Sequence, residues 1–351
     1  MSRLFPALLL LCASMAAETH TVYPVKHSPV FTAQAKPLAR VRSGDTIVTR
    51  TWDSGGKDEK GVWHIQHPYT YPEHGNPLTG PFYVEGAEYG DTLEVHVDKL
   101  RLNRADGYSS FRVSQGVFNP GADLHDPNYG MDAVRTGTST LLPWEIDAAA
   151  GTVTPKLRPQ DSSGWKIELP ARPMLGCIGV APAYNEVRTS GPSGNYGGNM
   201  DYNDIVEGAT VYLPVFSPGA HLFIGDSHAR QGDGEGWGNG VETSTDVQMT
   251  VKLHKGKRLG NPRLVTPTHL VSVGSQPEFG SSMDFALRSS MTDMLNWLTN
   301  DCGLTGPEAH VLLGGVVEHK IITYYGSVAT MIPKQYLPPR CHVFPVQGAA
   351  R

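Results

Sequence analysis

Residues 225–242 read GDSHARQGDGEGWGNGVE and contain six glycines, four carboxylates and one histidine. So many glycines suit neither a helix nor a strand, but they allow tight turns and a close approach of the backbone to a bound group. An apolar run at 220–224 precedes the stretch, and apolar residues alternate with polar ones at 247–253 after it. We therefore predict an active-site loop carried by two flanking strands of a sheet.

The composition favours a turn-rich β protein. The 351 residues include 39 Gly and 27 Pro, only 18% are charged, and the 39% that are hydrophobic can form a sizeable core. Strand-like runs also occur at 92–97, 174–182 and 209–216, whereas apolar residues at 286–302 fall close to helical spacing. We expect a mainly β fold, a largely antiparallel sandwich or barrel. Our preferred architecture is a jelly-roll-like β-sandwich with a smaller C-terminal α+β unit.

The first residues have the pattern of a secretory signal peptide. Arg3 gives a positively charged start, the apolar run at 5–15 is short, and small residues at 16–17 offer a cleavage site. The run is too short to span a bilayer, and we expect no other segment to cross one. We predict a secreted or periplasmic protein with no membrane partner after signal removal, and an ordinary N-terminal helix is the alternative. The predicted parts are a signal peptide, a β-sandwich core, an α+β unit that completes the site and a Pro-rich tail, at 1–17, 18–255, 256–335 and 336–351.

Charge and cysteine content narrow the class of protein further. The formal net charge is −5 and no basic stripe is present, so we do not expect a nucleic-acid partner. Four cysteines occur, and Cys12 leaves with the predicted signal. An oxidising compartment permits one disulfide, for which we choose Cys302–Cys341. Cys177 lies in an apolar run, where a core residue is a better interpretation than a nucleophile.

Candidate chemistry concentrates in the glycine-rich stretch. Asp226 and His228 are two residues apart, so on an extended segment both side chains point to the same side. Such a pair suits Zn²⁺, and further oxygen ligands shift the preference toward Ca²⁺ or Mn²⁺. Glu235 is the candidate acid/base, Glu242 is a fourth ligand or a strand-start residue, and Asp233 shapes the loop or assists catalysis. The alternative is that Asp226 caps a turn and His228 is an ordinary hydrogen-bonded loop residue.

Two further groups of residues have weaker signals. Asp201 follows the Gly-Gly-Asn sequence at 197–199, which indicates either an Asx-type turn or a positioned ligand. His64 and His67 have the spacing of a helical metal pair, but a proline follows directly and makes a helix there doubtful. We therefore prefer a non-metal role for these two histidines.

Several separated sequence blocks resemble the acetamidase/formamidase family in order and spacing. The resemblance covers roughly residues 40–335. It implies hydrolysis of the carbon–nitrogen bond of a small linear amide to a carboxylate and ammonia. It also implies a β-sandwich with an additional α/β unit, a divalent metal, usually assigned as zinc or calcium, and a homo-oligomer of two or more chains. The main blocks are GCIGVAP at 176–182, GGNMD at 197–201, YLPV at 212–215, GDSH at 225–228 and QGDGE at 231–235.

We also choose site residues within these blocks. Trp237, Asn199 and Gly234 are our candidate substrate contacts. Trp237 stands where the family often has a cysteine, and this departure predicts a substrate pocket of altered volume. Zinc is the first expectation for the ion and calcium the second. The resemblance implies Asp201, Asp226, His228 and Glu242 as site residues, which we assign as metal ligands, and Glu235 as the acid/base. Asp233 is our second catalytic candidate.

The leading hypothesis is therefore a secreted, metal-dependent amidase. A second hypothesis is a non-catalytic extracellular protein that binds a carbohydrate or another small molecule, with Trp237 as a stacking surface. A third is a hydrolase with Cys177 as nucleophile, which predicts inactivation by thiol reagents.

Overall fold

A computed structural model describes residues 16–65, 75–111, 140–157, 162–275, 282–324, 326–339 and residue 341. Most of the predicted signal peptide, His67 and most of the predicted Pro-rich tail lie outside the described residues. Within the described ranges, no helix combines the length and the apolar character needed to cross a membrane.

Short strands dominate the described chain, and the mainly β class is confirmed. The two α-helices of the described part both lie in its C-terminal third, as predicted. The strands and helices are β1 (Thr19–Thr21), β2 (Val30–Phe31), β3 (Ala39–Val41), β4 (Thr46–Arg50), β5 (Leu78–Val84), β6 (Thr92–Leu102), β7 (Asp106–Phe111), β8 (Thr140–Asp147), β9 (Thr152–Pro155), β10 (Leu169–Pro170), β11 (Met174–Gly179), β12 (Arg188–Thr189), β13 (Ser193–Gly194), β14 (Gly197–Asn199), β15 (Thr210–Pro214), β16 (Leu222–His228), β17 (Thr245–His254), β18 (Arg263–Val265), β19 (His269–Ser275), α1 (Met283–Asn296), α2 (Gly306–Gly315), β20 (Glu318–Thr323) and β21 (Ser327–Pro333).

Two large sheets form the body of the molecule. The first has nine strands in the order β1-β4-β17-β6-β15-β18-β19-β21-β20, and the second has six in the order β13-β14-β11-β16-β5-β3. In β17, Val247, Met249 and Val251 are buried and alternate with more exposed polar residues, as the period-2 pattern predicted. They share one hydrophobic cluster with Leu175 and Ile224 of the six-stranded sheet, so the two sheets enclose the main core as a sandwich.

A third sheet of four strands, in the order β10-β9-β8-β7, covers the segment that follows β16. Ile146 and Val153 of this sheet form a small hydrophobic cluster with Ala229 and Val241. The two ends of the glycine-rich stretch are therefore anchored by apolar contacts on the third sheet.

The C-terminal part adds both strands and helices. Strands β18 to β21 extend the nine-stranded sheet. Met294 of α1 and Trp297, just after α1, form one hydrophobic cluster with Leu270 and Ile332 of this sheet. The predicted helical run at 286–302 is α1 followed by a π-helical turn, Trp297–Asp301. A disulfide joins Cys302 to Cys341, as the sequence predicted.

Candidate metal centre

Strand β16 delivers the first two candidate ligands. Asp226 and His228 lie on the same side of the strand, with Asp226 Oδ1 and His228 Nε2 3.5 Å apart. The predicted loop begins later than we expected, because residues 225–228 belong to β16. Gly225 is needed in the strand for another reason: a Cβ atom there would lie 2.7 Å from the Pro77 carbonyl oxygen. A glycine in a strand marks a close backbone approach as readily as a turn.

Three more carboxylates converge on His228. Glu242 forms an isolated β-bridge with His228, and its Oε2 lies 3.2 Å from His228 Nε2. Ligand atoms of Asp226, His228 and Glu242 all lie within 4.8 Å of one another, and so do those of Asp201, His228 and Glu235. All five side chains are buried. The structure therefore brings together every residue that the sequence predicted as a metal ligand, together with the predicted acid/base.

Three of the converging atoms are buried and make no hydrogen bond within the described residues, apart from the 3.2 Å approach of His228 Nε2 to Glu242 Oε2. They are His228 Nε2, Glu242 Oε2 and Asp201 Oδ1. Buried polar atoms are nearly always paired, so unpaired ones that face a common point indicate a group that binds there. One imidazole nitrogen with several carboxylate oxygens is a donor set that divalent cations such as Zn²⁺ accept. The residues present therefore fit a divalent metal ion.

Gln231 orients the histidine. Its Nε2 donates a hydrogen bond of 2.7 Å to the backbone carbonyl of Asp201, so its Oε1 is the atom that faces His228 Nδ1, also at 2.7 Å. A carbonyl oxygen can only accept, and Nδ1 must therefore carry a proton. This leaves Nε2 directed at the carboxylates, the arrangement that outer partners give to metal-binding histidines.

Asn76 orients Asp226. Its Nδ2 donates to Asp226 Oδ2 at 2.9 Å and to Asn199 Oδ1 at 3.1 Å. The Cys177 thiol also donates to Asn199 Oδ1, at 2.9 Å. Asn199, a predicted substrate contact, thus lies in the outer hydrogen-bond network of the centre, and the sequence analysis missed Asn76 altogether. Burial and then the charge of Asp226 raise the pKa of the Cys177 thiol well above its usual value, which disfavours a nucleophilic thiolate.

Gly176 makes room for two of the carboxylates. A Cβ atom at this position would lie 2.5 Å from Asp201 Oδ1 and 2.8 Å from Asp226 Oδ2. Real side chains do not pack this closely, so only glycine lets the two carboxylates sit above β11.

The electrostatics of the centre favour positive charge. Burial, followed by the charge of Asp226, raises the pKa of Asp201 to about 8. Burial and Asp201 raise the pKa of Glu235 well above its usual value. Burial alone would lower the pKa of His228, but Glu242 and Asp226 raise it well above its ordinary value. A proton or a metal cation is therefore needed to balance the crowded carboxylates.

The backbone is strained at three of these residues. Asp201, Asp226 and Glu235 have φ angles of 50°, 52° and 48°, in the left-handed region that non-glycine residues rarely adopt. Glu235 ends a short 3-10 turn, Asp233–Glu235, that follows β16. Such strain is typical of sites where the surrounding structure holds side chains in a functional position.

The remaining predicted residues of the glycine-rich stretch lie around the centre. The Asp233 side chain is 66% exposed, and its Oδ1 lies 3.0 Å from Lys320 Nζ, so the structure does not bring it into the cluster. Its catalytic role stays a prediction that this geometry does not support. Gly234 is buried beside Glu235, and Trp237 is partly buried in the same loop.

His64 has a structural environment of its own. Its Nε2 lies 2.8 Å from Asp58 Oδ2, and its ring stacks on Trp52 with 4.3 Å between ring centroids. Neither ligand set of the described residues includes it. This placement agrees with the preference for a non-metal role at this histidine.

Comparison with known proteins places these residues in a family. The model of the acetamidase/formamidase family matches residues 181–336, a span that contains all five side chains of the centre. The resemblance of this chain to the acetamidase/formamidase family is thereby confirmed. A protein of Schizosaccharomyces pombe that carries a formamidase name is 42% identical over 217 residues, which are 51% of this chain and 52% of that protein. The chain thus spans about half the length of this curated relative.

Solved structures of acetamidase/formamidase members match over more of the chain. An acetamidase from Bacillus halodurans is 28% identical with a TM-score of 0.73, and the match covers 90% of this chain and 98% of that one. An acetamidase from Yersinia enterocolitica is 26% identical with a TM-score of 0.74, over 93% of this chain and 96% of that one. The overall fold of the chain is therefore the same as in these acetamidase structures.

Proposed function

We propose that this protein is a metal-dependent amidase. It hydrolyses the carbon–nitrogen bond of a small linear amide with one water molecule and releases a carboxylate and ammonia. The observation that carries the proposal is the buried centre, where unpaired atoms of His228, Glu242 and Asp201 converge. The match to the family model and the formamidase and acetamidase names of the relatives support the choice of an amide as substrate.

Asp226, His228 and Glu242 would hold the ion, with Asp201 as a further ligand. A bound divalent ion would polarise the amide carbonyl and lower the pKa of water. Zinc is our first choice, because of the imidazole ligand, and calcium is the second, because oxygen donors predominate. The protein keeps the ligands in place through Gln231, which fixes the His228 ring.

Glu235 is the proposed acid/base. Its carboxylate takes the proton of the attacking water, and the carboxyl group formed in this way delivers that proton to the leaving nitrogen. Burial and the neighbouring Asp201 raise its pKa, which favours the protonated form that the second transfer needs. Because all five side chains of the centre are buried, water screens their charges only weakly. Electrostatic interactions between these side chains and the substrate would therefore be stronger than in water.

The site of action and the assembly are also proposals. We propose that the protein is exported to the periplasm or the medium, because of the signal-like pattern at 1–17. The family resemblance supports a homo-oligomer. Cell fractionation with N-terminal sequencing of the mature chain tests export, and light scattering of the purified protein tests assembly. A cytoplasmic protein with an intact N-terminus would contradict export, and a monomer would contradict assembly.

The experiment that tests the function measures ammonia release from formamide, acetamide and longer linear amides. The purified protein is assayed as isolated, after chelation, and after re-addition of zinc or calcium. The Asp226→Asn variant removes one ligand charge at nearly constant size. Asp284→Asn is the matched control, because Asp284 lies on α1 with a side chain that is 66% exposed.

We expect chelation and Asp226→Asn each to abolish ammonia release, and Asp284→Asn to leave it unchanged. Full activity after both chelation and the Asp226 substitution would contradict the metal mechanism. No ammonia from any amide, with either metal present, would contradict the amidase function itself.

A further inference from the structure

Asp201 and Glu235 lie outside regular strands, unlike the members of the centre that β16 carries or pairs with. Asp226 and His228 lie on β16, and Glu242 is bridged to His228 by backbone pairing. Asp201, in contrast, follows β14 in a loop, and Glu235 ends the turn Asp233–Glu235. The distance between these two carboxylates therefore depends on contacts between two separate loops.

Lys320 of β20 joins these two loops. Its Nζ donates to Asn203 Oδ1 at 2.7 Å and to Asp204 Oδ2 at 3.3 Å, both just after Asp201. The same Nζ lies 3.0 Å from Asp233 Oδ1, at the start of the turn that carries Glu235. The Lys320 side chain is 16% exposed, so its charge is largely removed from solvent and directed at these three acceptors.

The backbone of the same strand also contacts the turn. The Tyr324 N–H, next to the end of β20, donates to the Gly234 carbonyl at 2.9 Å. Gly234 has a φ of +76°, and a Cβ atom there would lie 3.2 Å from Ile321 Cγ2. The edge strand of the C-terminal unit thus packs closely against the turn of Glu235.

We propose that Lys320 is a positioning residue that sets the separation of Asp201 and Glu235 and thereby the alignment of the acid/base with the metal site. This role rests on the amidase function proposed above. Lys320 does not touch the reacting atoms, and it acts through Asn203 and Asp233. Within the described residues, the C-terminal unit therefore supports the site through Lys320 and through the contacts of residues 321 and 324 with the turn of Glu235.

The test uses Lys320→Met, which keeps much of the aliphatic stem and removes the charge and its hydrogen bonds. Lys320→Arg is the conservative rescue, and Arg172→Met is the matched control. Arg172 also pairs with Asp204, but this ion pair does not extend to the turn of Asp233. The readouts are kcat, KM, zinc affinity, and hydrogen exchange of the peptide covering residues 231–238.

For Lys320→Met we expect kcat to fall about 10- to 100-fold, as for a misplaced catalytic group, with KM changed less than about twofold. Zinc affinity should fall by less than about tenfold, because Asp201 is the only ligand that Lys320 positions and outer partners other than Lys320 hold Asp226 and His228. Hydrogen exchange of residues 231–238 should become faster. Lys320→Arg should recover part of kcat, and Arg172→Met should behave like the wild type.

An unchanged kcat in Lys320→Met, or an equal loss in Arg172→Met, would overturn the proposal. If Lys320→Met does not fold, Lys320→Gln gives the same readouts, since glutamine loses the charge and can keep the bond to Asn203. If the wild type hydrolyses no amide, the amidase function fails separately. Hydrogen exchange and a crystal structure of the variant then decide the role of Lys320: unchanged exchange and an unchanged separation of Asp201 and Glu235 would refute it.

Discussion

Two substitutions of Gln231 should distinguish an effect on protein stability from an effect on metal affinity. Gln231 makes two hydrogen bonds of 2.7 Å, one with His228 Nδ1 and one with the Asp201 carbonyl. In Gln231→Met both partners lose their bonds at a site that is buried. In Gln231→Glu the side chain still accepts from His228 Nδ1, while the bond to Asp201 is lost. The pair of variants therefore tests the orientation of His228 against general damage to the loop.

The expected magnitude follows from the contacts. A buried donor left unpaired costs about 1–3 kcal/mol, so Gln231→Met should destabilise the metal-free protein by that amount. Outer partners of metal-binding histidines contribute about 10- to 100-fold in affinity, which corresponds to about 1.4–2.8 kcal/mol. Gln231→Met should therefore bind zinc about 10- to 100-fold more weakly, whereas Gln231→Glu should stay within about threefold of the wild type.

The assay is a zinc titration against a chromophoric chelator at pH 7.5, with urea unfolding of the metal-free protein in parallel. Gln248→Met on β17 is the control for a change from glutamine to methionine. Zinc binding by Gln231→Met as tight as by the wild type would refute the role of Gln231. Equal weakening by Gln231→Met and Gln231→Glu would show that the contact with Asp201, and not the orientation of His228, is what matters.

Two other substitutions test the centre and the scaffold. Gly176→Ala places a Cβ atom 2.5 Å from Asp201 Oδ1, so Asp201 must shift and zinc affinity should fall at least about tenfold in the same titration. An unchanged zinc affinity would contradict the close approach of residue 176 to the Asp201 carboxylate. Burial alone would raise the pKa of Asp45, but hydrogen bonds from backbone N–H groups lower this pKa below its ordinary value of 3.8. The Asp45 carboxylate therefore stabilises the folded protein above pH 3.8, and this stabilisation is lost as the pH falls through the lowered pKa. Asp45→Asn should therefore destabilise the protein at pH 7 by about 1–3 kcal/mol in urea unfolding, and the difference should shrink in acid; a difference that grows in acid would refute this sign.

The predictions that succeeded depend on local geometry. The alternation in β17 follows from the two-residue period of a strand, which needs no knowledge of the rest of the chain. The closeness of Asp226 and His228 was predicted from the same period, although the left-handed backbone at Asp226 departs from an extended strand. The predicted start of the glycine-rich loop was wrong because the glycine at position 225 was interpreted as the beginning of a turn. At Gly225 the glycine instead admits a neighbouring carbonyl, and that requirement arises only from tertiary packing.

The residues that the sequence could not identify act over long distances. Asn76 is 150 positions from Asp226, and Lys320 is 117 positions from Asn203. No periodicity or motif marks an asparagine in an irregular segment or a lysine on an edge strand as part of a site. Gln231 lies within the QGDGE block, but only the bond to the Asp201 carbonyl shows which way its amide faces. Such roles require coordinates, because they are properties of contacts and not of residue types.

The strain in the centre explains why so many distant contacts are needed there. A left-handed backbone at Asp201, Asp226 and Glu235 costs of order 1–3 kcal/mol at each residue, and the unpaired buried atoms add to this cost. The main core cannot offset it locally, since the three residues lie on a strand, a loop and a turn. Hydrogen bonds from Asn76, Gln231 and the Lys320 network hold each segment in place from a different direction. A cation bound there would pair the remaining atoms and offset part of this free-energy cost. The metal should therefore stabilise the folded protein as well as activate the substrate.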